Sequence, residues 1–383
     1  MLGSLRYTRL QLRSLIEETT DHFNRTQRLP NFAYTSEAFL ELEQLTLFAR
    51  NWMFAGRASQ LENVGDVLPV EVAGQDVLLV RQHTNRIAAF FNVCPHRGAK
   101  LAETPRCKAR FLTCRYHGWS FALDGTPRVR PHFYGGGKHD DNPAAKGLRG
   151  LTEIRAHQWL DFVFVNLDGQ AEPFEDWMRP ILKGLAPYDF SKLTYVRTIE
   201  YDLESNWKLA LENFWDTYHI PTCHPAVEQQ MKMADRKNAV TEGKIIFGGY
   251  QYPVVDADGT VGRASPIPGH DGDRDYMRNR SWFICCCPSN MIQVWEDAFI
   301  MVEMCPVAPD RTHEKFHFYM HEDAATQDRY VCAVAIRSST SWTVSGSSTW
   351  TSCDGCNSGG TPSPVMAASS PTTGIRRSSR SEE

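Results

Sequence analysis

The sequence predicts an α+β protein, in which an all-β module precedes a domain of helices packed on an antiparallel sheet. Short alternating or wholly apolar runs, separated by turn residues, fill residues 51–170. Residues 171–337 combine helical patterns with long runs rich in aromatic and β-branched residues, which favour strands. The two patterns follow one another along the chain, and this order defines the predicted domains.

Residues 1–50 are predicted to form a helical segment ahead of the β module. Its clearest element is an amphipathic helix in residues 35–52, for which Ser36 is a suitable N-cap. Four apolar side chains of this helix are expected to share one face: Phe39, Leu42, Leu45 and Phe48.

The β module is predicted over residues 51–170, with short alternating or apolar runs at residues 66–82, 86–94 and 110–127 and a final strand in residues 159–169. Residues 135–147 are predicted to be a polar loop. Turns are expected at three dipeptides: Gly74-Gln75, Thr84-Asn85 and Asp124-Gly125.

The second domain is predicted over residues 171–337. Residues 172–185 have a helical pattern, and residues 192–220 predict a strand followed by a long helix. Residues 281–309 and 315–322 predict further strands, so this half is expected to be an antiparallel sheet with covering helices.

Bulk composition excludes several classes of protein. The formal net charge of −4 gives no basic surface for nucleic acid, and no apolar run approaches the roughly 20 residues of a membrane span. The N-terminal residues have no apolar stretch of the secretory type. The 11 cysteines are an odd number, and the consecutive Cys285, Cys286 and Cys287 indicate free thiols in a reducing, cytoplasmic setting.

The first chemical pattern is a pair of Cys/His steps separated by a short loop. Cys94 and His96 lie in "CPHRG", and Cys114 and His117 lie in "CRYHGW". One cysteine and one histidine from each loop supply the donor set of a two-iron cluster, with two thiolates on one iron and two imidazoles on the other. A Cys₂His₂ zinc site in a binding module, and buried residues without a metal, remain open from the residues alone.

This pattern, on a small β module, resembles the Rieske motif. The resemblance implies a [2Fe-2S] cluster with four protein ligands: Cys94, His96, Cys114 and His117.

The second pattern lies in an apolar helix that carries charged residues, "ESNWKLALENFWDTYHIPTCHP". Such a helix is expected to be buried, so that Glu212, Asp216 and the histidines would need partners or a metal. Asp216 and His219 share a helix face, and His224 follows the turn that Pro221 imposes. Two histidines and a carboxylate on one side of a metal are the ligands of non-haem Fe(II) sites. Two core histidines with a structural aspartate are the alternative.

With both patterns, residues 31–337 resemble the oxygenase (alpha) component of the Rieske non-haem iron oxygenases, nearest to the choline, glycine betaine and carnitine branch. The resemblance implies that His219 and His224 bind the mononuclear Fe(II), and that a separate NAD(P)H-dependent flavin or iron–sulfur reductase supplies electrons. It also implies a homotrimer in which His117 of one subunit hydrogen-bonds to Asp216 of the next, and Asp216 in turn contacts His219.

The expected reaction is the hydroxylation or N-demethylation of a small substrate with O₂, and a quaternary ammonium compound fits best. Such a cation is recognised by aromatic faces. The catalytic half supplies eight candidates, each of which could equally belong to the core: Trp215, Tyr218, Tyr250, Tyr252, Trp282, Phe283, Trp295 and Phe299.

The third iron ligand, a carboxylate on a late helix in this family, is not identified. The sequence offers four candidate aspartates and does not distinguish among them: Asp297, Asp323, Asp328 and Asp354. Residues 338–383 contain 14 Ser and 7 Thr without apolar periodicity, so this tail is predicted to be disordered. We hypothesise a slip of the reading frame near Arg337, which would have removed the last helix.

Two other functions remain open. An aromatic-ring hydroxylating dioxygenase would have the same metal centres with a different substrate pocket. A chain that lacks the third iron ligand would be a catalytically impaired Rieske electron-transfer protein.

Overall fold

The computed structural model describes residues 6–215, 220–223, 240–242, 245–251, 280–286, 288, 290–295 and 298–325. All of them belong to one unit, Met1–Val344. The predicted α+β class is confirmed, since two antiparallel sheets and their covering helices account for most of the described residues. No helix within these ranges is long and apolar enough to cross a membrane.

The chain begins with a helical segment. Thr8 caps the first helix by accepting a hydrogen bond from the Gln11 backbone N–H, and the Gln11 side chain closes the capping box. Ser36 caps the third helix through the Phe39 N–H, as predicted. The helices are α1 (Arg9–Thr26), α2 (Phe32–Thr35) and α3 (Glu37–Glu43), and a π-helical turn follows at Gln44–Phe48.

The expectation of one continuous apolar face in residues 35–52 is wrong. Phe39 and Leu42 pack with Leu12 of α1, whereas Phe48 belongs to a different core and meets Trp207 edge-on at 5.0 Å. The π-helical turn is the physical reason, because its wider turn rotates the following side chains to another face.

The first sheet has six antiparallel strands in the order β1-β9-β8-β4-β3-β2, and a small sheet β5-β6-β7 lies beside it. The turn expected at Gly74-Gln75 is formed by Ala73 and Gly74, and Gln75 already begins a strand. The strands are β1 (Met53–Arg57), β2 (Val67–Val72), β3 (Gln75–Arg81), β4 (Ile87–Phe91), β5 (Leu112–Thr113), β6 (Ser120–Phe121), β7 (Pro127–Val129), β8 (Glu153–Trp159) and β9 (Phe162–Asn166).

The second sheet has seven antiparallel strands in the order β10-β16-β15-β14-β13-β12-β11. Its strands are β10 (Leu193–Leu203), β11 (Val240–Glu242), β12 (Ile245–Gln251), β13 (Arg280–Cys286), β14 (Asn290–Val294), β15 (Ala298–Ala308) and β16 (Arg311–His321). The described helices of this half are α4 (Phe174–Leu185), α5 (Trp207–Trp215), α6 (Ile220–Cys223) and α7 (Glu322–Ala325).

The two faces of the second sheet bury different partners. On one face, aromatic side chains join it to the first sheet: Phe162 of β9 stacks on Phe299 at 5.4 Å and meets Tyr319 at 5.0 Å. On the other face, Ala210 and Phe214 of α5 complete an apolar core. The helix that leads into the predicted iron-binding stretch is therefore fixed on the sheet by its buried face.

Candidate metal centres

Two loops of the β module have the same backbone geometry. The Cys94 N–H donates to the Ala99 carbonyl at 2.8 Å, and the Gly98 N–H returns to the Cys94 carbonyl at 3.0 Å. In the second loop, the Cys114 N–H donates to the Trp119 carbonyl at 2.8 Å, and the Gly118 N–H returns to the Cys114 carbonyl at 3.0 Å. The two predicted ligand segments are thus equivalent loops, each with one cysteine at its start.

A glycine closes each loop in a left-handed conformation. Gly98 has φ 73° and Gly118 has φ 70°, values that L residues with a side chain rarely adopt. A Cβ atom on Gly118 would lie 3.2 Å from Cγ of Pro131, whereas no atom lies within 4 Å of one on Gly98. Glycine is therefore required by the backbone in both loops and by close packing in the second.

The two cysteines form the buried end of the site. Cys94 and Cys114 are 1% and 2% exposed in the apolar core of the β module. Burial raises the pKa of Cys94 to about 11, and the neighbouring Cys114 thiol acts in the same direction. The backbone N–H groups of His96 and Arg97 point at the Cys94 sulfur and oppose that shift. The two sulfurs are thus adjacent, and that of Cys94 receives backbone hydrogen bonds, as the ligands of an iron–sulfur cluster do.

The two histidines form the exposed end. The ring centroids of His96 and His117 lie 4.6 Å apart, and both residues are exposed. Trp119 stacks flat on His96, with centroids 4.4 Å apart and planes 6° apart. Desolvation and the charges of His117, Arg97 and Arg130 lower the pKa of His96. A lowered pKa keeps this imidazole neutral, which is the form that binds metal.

The four donors are arranged as two pairs, and this arrangement distinguishes a two-iron cluster from a single zinc site. Among the residues that the structure describes, no three His, Cys, Asp or Glu side chains converge on one point that could hold a single metal ion. A tetrahedral zinc site would need all four donors around one ion. A two-iron cluster needs a thiolate pair and an imidazole pair at its opposite ends, which is what the two loops provide.

The predicted iron ligands His219 and His224, together with Asp216, lie outside the described residues. The helix that precedes them, α5, is described up to Trp215 and is held by its first turn. Trp207 Nε1 donates to Glu43 Oε2 at 3.0 Å, and Lys208 Nζ lies 2.8 Å from Glu43 Oε1.

The expected burial of the helix holds for one side of α5 and not for the other. Leu209 is 47% exposed, and Glu212 is an exposed carboxylate that accepts a hydrogen bond from the Tyr34 hydroxyl at 3.4 Å. The helix packs through one stripe only, which contains Trp207, Ala210 and Phe214 at helical spacing. The buried charges of this region are instead Lys208 and Glu43, both of which are under a tenth exposed.

Four of the eight candidate aromatic residues are packed against other side chains of the protein. Trp282 Nε1 donates to the Tyr188 hydroxyl and Trp295 Nε1 to Gln293, and both rings are buried. Phe299 is fully buried in the core between the sheets. Phe283 is half-buried against Phe214 and Trp295. The structure does not describe the side chains of the other four candidates: Trp215, Tyr218, Tyr250 and Tyr252.

Of the aspartates considered as the third ligand, Asp323 lies in α7. Asp297, Asp328 and Asp354 lie outside the described residues, as does the Ser/Thr-rich tail. The third ligand and the slip of the reading frame therefore stay predictions.

Sequence reasoning missed two largely buried carboxylates on neighbouring strands. Glu314 is 2% exposed and its Oε1 has no hydrogen-bond partner, so burial raises its pKa to about 7. The Glu303 side chain is 13% exposed, and the neighbouring His317, the Lys315 charge and the Cys305 thiol outweigh desolvation and lower its pKa to about 2. Glu303 lies inside a run predicted as a strand, whereas Glu314 lies one residue before the next predicted run, so nothing in the sequence indicated that Glu314 would be buried.

Comparison with known proteins agrees with this geometry. Residues 51–135 match the model of the Rieske [2Fe-2S] domain, and residues 190–345 match that of the ring hydroxylating alpha subunit catalytic domain. The chain therefore contains a Rieske domain followed by a catalytic domain of the ring hydroxylating alpha subunit type. The two domains imply a [2Fe-2S] cluster and a mononuclear iron.

Two similar curated proteins are named as the oxygenase subunits of a carnitine and a glycine betaine monooxygenase. The chain is 29% identical over 209 residues to the carnitine monooxygenase oxygenase subunit of Escherichia coli (strain K12), which covers 54% of each chain. It is 30% identical over 197 residues to the glycine betaine monooxygenase oxygenase subunit of Chromohalobacter salexigens, covering 51% of this chain and 43% of that one. The chain thus matches about half the length of these relatives.

A solved structure shares the fold across both halves. It is a quaternary ammonium Rieske monooxygenase, described in connection with carnitine oxidation and inter-subunit electron transfer. Its TM-score is 0.64 at 20% identity, and the match covers 80% of each chain. At 20% identity this likeness shows the fold alone.

Proposed function

We propose that this chain is the oxygenase component of a cytoplasmic Rieske monooxygenase that hydroxylates or N-demethylates a quaternary ammonium compound. The observation that carries the proposal is the pair of equivalent loops, which bury two thiols together and expose two imidazoles together. The names of the relatives, carnitine and glycine betaine monooxygenase subunits, favour the substrate class.

Cys94, His96, Cys114 and His117 would hold the [2Fe-2S] cluster, and His219 and His224 would hold Fe(II). When bound, the cluster supplies one-electron transfer and the mononuclear iron supplies activation of dioxygen. The chain itself contributes the buried, dry end at the thiols and the solvent-facing end at the imidazoles. The exposed imidazoles are the natural side for electrons to enter or leave.

The imidazole end is also the side that favours a homotrimer. Tyr116, Phe133 and Tyr134 are 61%, 47% and 52% exposed, although they are large aromatic residues. Tyr116 lies 3.9 Å from His117 between ring centroids, and Phe133 lies 6.5 Å from Trp119. Such a patch is typical of an interaction surface. In the trimer, Asp216 of the neighbouring subunit would accept a hydrogen bond from His117 and would orient His219.

A separate NAD(P)H-dependent flavin or iron–sulfur reductase would supply the electrons. The test combines anaerobically purified protein, Fe(II), such a reductase and trimethylammonium substrates, with carnitine, glycine betaine and choline as the first set. We expect formaldehyde release coupled to oxygen uptake, and Asp216→Asn should reduce turnover while the cluster absorbance stays unchanged. No formaldehyde from any such compound, with an intact cluster, would contradict the substrate class.

A second candidate substrate class is favoured by the matched domain, which is described as that of ring hydroxylating alpha subunits. Oxygen uptake with bicyclic aromatic hydrocarbons, and none with trimethylammonium compounds, would support it.

An iron count separates both enzymes from an impaired electron carrier. About three irons per chain indicate two centres, and about two indicate the cluster alone.

Resequencing the gene tests the slip near Arg337, and an intact frame through the tail would exclude it.

A further inference from the structure

Three side chains, those of Trp119, Arg130 and Phe133, form a stack that covers one side of the imidazole end of the cluster site. Trp119 lies flat on His96, and it is only 7% exposed. The guanidinium carbon of Arg130 lies 5.3 Å from the centre of the Trp119 ring and 3.5 Å from the centre of the Phe133 ring. A permanent cation is thus held between two aromatic faces, one of which contacts a predicted cluster ligand.

Arg130 has little freedom to move. Its Nε donates to Asp140 Oδ2 at 2.8 Å, and a second guanidinium nitrogen contacts the same oxygen. The backbones of Arg130 and Asp140 are also paired, with N–H to carbonyl distances of 2.9 and 3.0 Å. Asp140 is fully buried, and its Oδ1 accepts from Lys146 Nζ at 2.6 Å.

The charges of this network do not cancel. Arg130 and Lys146 each carry one positive charge, and Asp140 carries the single negative charge, so the group has a net charge of one positive unit. The Asp140 carboxylate is buried and contacts both Arg130 and Lys146, so it holds the two cations in place. The network lies in residues 130–146, a stretch predicted from sequence largely as a polar loop.

We propose that Arg130 is a positioning residue for the Rieske cluster, which orients His96 through Trp119 and raises the reduction potential of the cluster by its fixed positive charge. The proposal depends on the cluster assignment made under the proposed function. Reduction adds one negative charge to the cluster, and a nearby cation stabilises the reduced form. Because the site is partly shielded from water, bulk solvent screens this effect incompletely.

The test is a potentiometric titration of the cluster in the full-length purified protein, with redox mediators, followed by EPR and circular dichroism. Arg130→Gln should lower the equilibrium constant for reduction, on the order of threefold to tenfold, where tenfold corresponds to 59 mV for a one-electron couple. Asp140→Asn should raise it, because the anion is removed while both cations stay. Arg130→Lys should keep most of the potential.

Arg128→Gln is the matched control, since Arg128 is an exposed arginine on β7 two residues away. It should leave the potential unchanged. Lys146→Met removes a cation at the half-exposed end of the network without touching the stack, so it keeps the test valid if Arg130→Gln fails to fold. It should also lower the potential.

Opposite signs for the cation and anion variants are the decisive result, because a loosened structure would move both in one direction. Equal shifts in Arg130→Gln and Arg128→Gln, or shifts of the same sign in Lys146→Met and Asp140→Asn, would overturn the proposal. A wild-type chain that binds no cluster under these conditions would overturn the cluster assignment itself. A normal cluster with unchanged potentials would overturn only the role of Arg130.

Discussion

Lys208 Nζ lies 2.8 Å from Glu43 Oε1, and both side chains are less than a tenth exposed. This ion pair connects the N-terminal helical segment to the first turn of α5, the helix that precedes the predicted iron ligands. Burial raises the pKa of Glu43 and lowers the pKa of Lys208, so the pair is costly to bury and depends on both partners. Its role is to fix where α5 begins.

Removing only the cation should therefore be more damaging than removing both charges. We expect Lys208→Met to lower the free energy of unfolding by about 3 to 5 kcal/mol, because Glu43 is left buried without a counter-charge. Lys208→Met combined with Glu43→Gln should recover much of that loss. Urea denaturation of the three proteins measures both values.

An exposed pair provides the control. Arg13 and Glu17 lie 3.0 Å apart on α1, with side chains 76% and 67% exposed. Arg13→Met should change the free energy of unfolding by no more than about 0.5 kcal/mol. If the double variant is no more stable than Lys208→Met, the buried pair does not act as described.

The cluster ligands allow a direct comparison of a buried and an exposed cysteine. Cys94→Ser should abolish the visible absorbance and remove about two irons per chain, because the thiolate pair is broken. Cys107→Ser should leave both unchanged, since Cys107 is an exposed free thiol. Iron and acid-labile sulfide assays on the purified proteins check this. Loss of iron in Cys107→Ser, or its retention in Cys94→Ser, would contradict the ligand assignment.

The two loop glycines predict unequal effects of the same substitution. Gly98→Ala and Gly118→Ala both force a side chain into the left-handed region, at a cost of about 1 to 2 kcal/mol. Gly118→Ala should cost more, because its Cβ would also press on Pro131 at 3.2 Å. Thermal unfolding and cluster retention measure the difference. Equal losses would show that packing against Pro131 is unimportant.

Residue type and spacing made the cluster loops predictable, because all four donors lie within short local motifs. The strands and the class followed from periodicity in the same way. The Glu43–Lys208 pair was not predictable, since it joins residues 165 positions apart and neither has a local signal. Asp140 was assigned to a polar loop, yet it is fully buried, because Arg130 and Lys146 close around it. In both cases, ion pairs formed in the folded chain allow charged side chains to be buried, although the local sequence predicts them at the surface.

Glu314 predicts an unusual dependence of stability on pH. It lies on β16 opposite Tyr201 of β10 and Met304 of β15, and it is 2% exposed. Burial raises its pKa from 4.5 to about 7, so the folded chain keeps the proton to a higher pH than the unfolded chain. Its contribution to the free energy of unfolding is therefore present below about pH 4.5 and is lost as pH rises to about 7.

Glu314→Gln should remove this loss. Relative to wild type, the variant should become more stable as pH rises from 4 to 8, by on the order of 2 to 3 kcal/mol in the free energy of unfolding.

Glu303→Gln is the matched control with the opposite sign. Burial opposes ionisation of Glu303, but His317, Lys315 and Cys305 lower its pKa to about 2, so its stabilisation is lost as pH falls below about 4.5. Chemical denaturation from pH 2 to pH 8 covers the transitions of both variants, and parallel pH profiles for the two would show that Glu314 is not held protonated by burial.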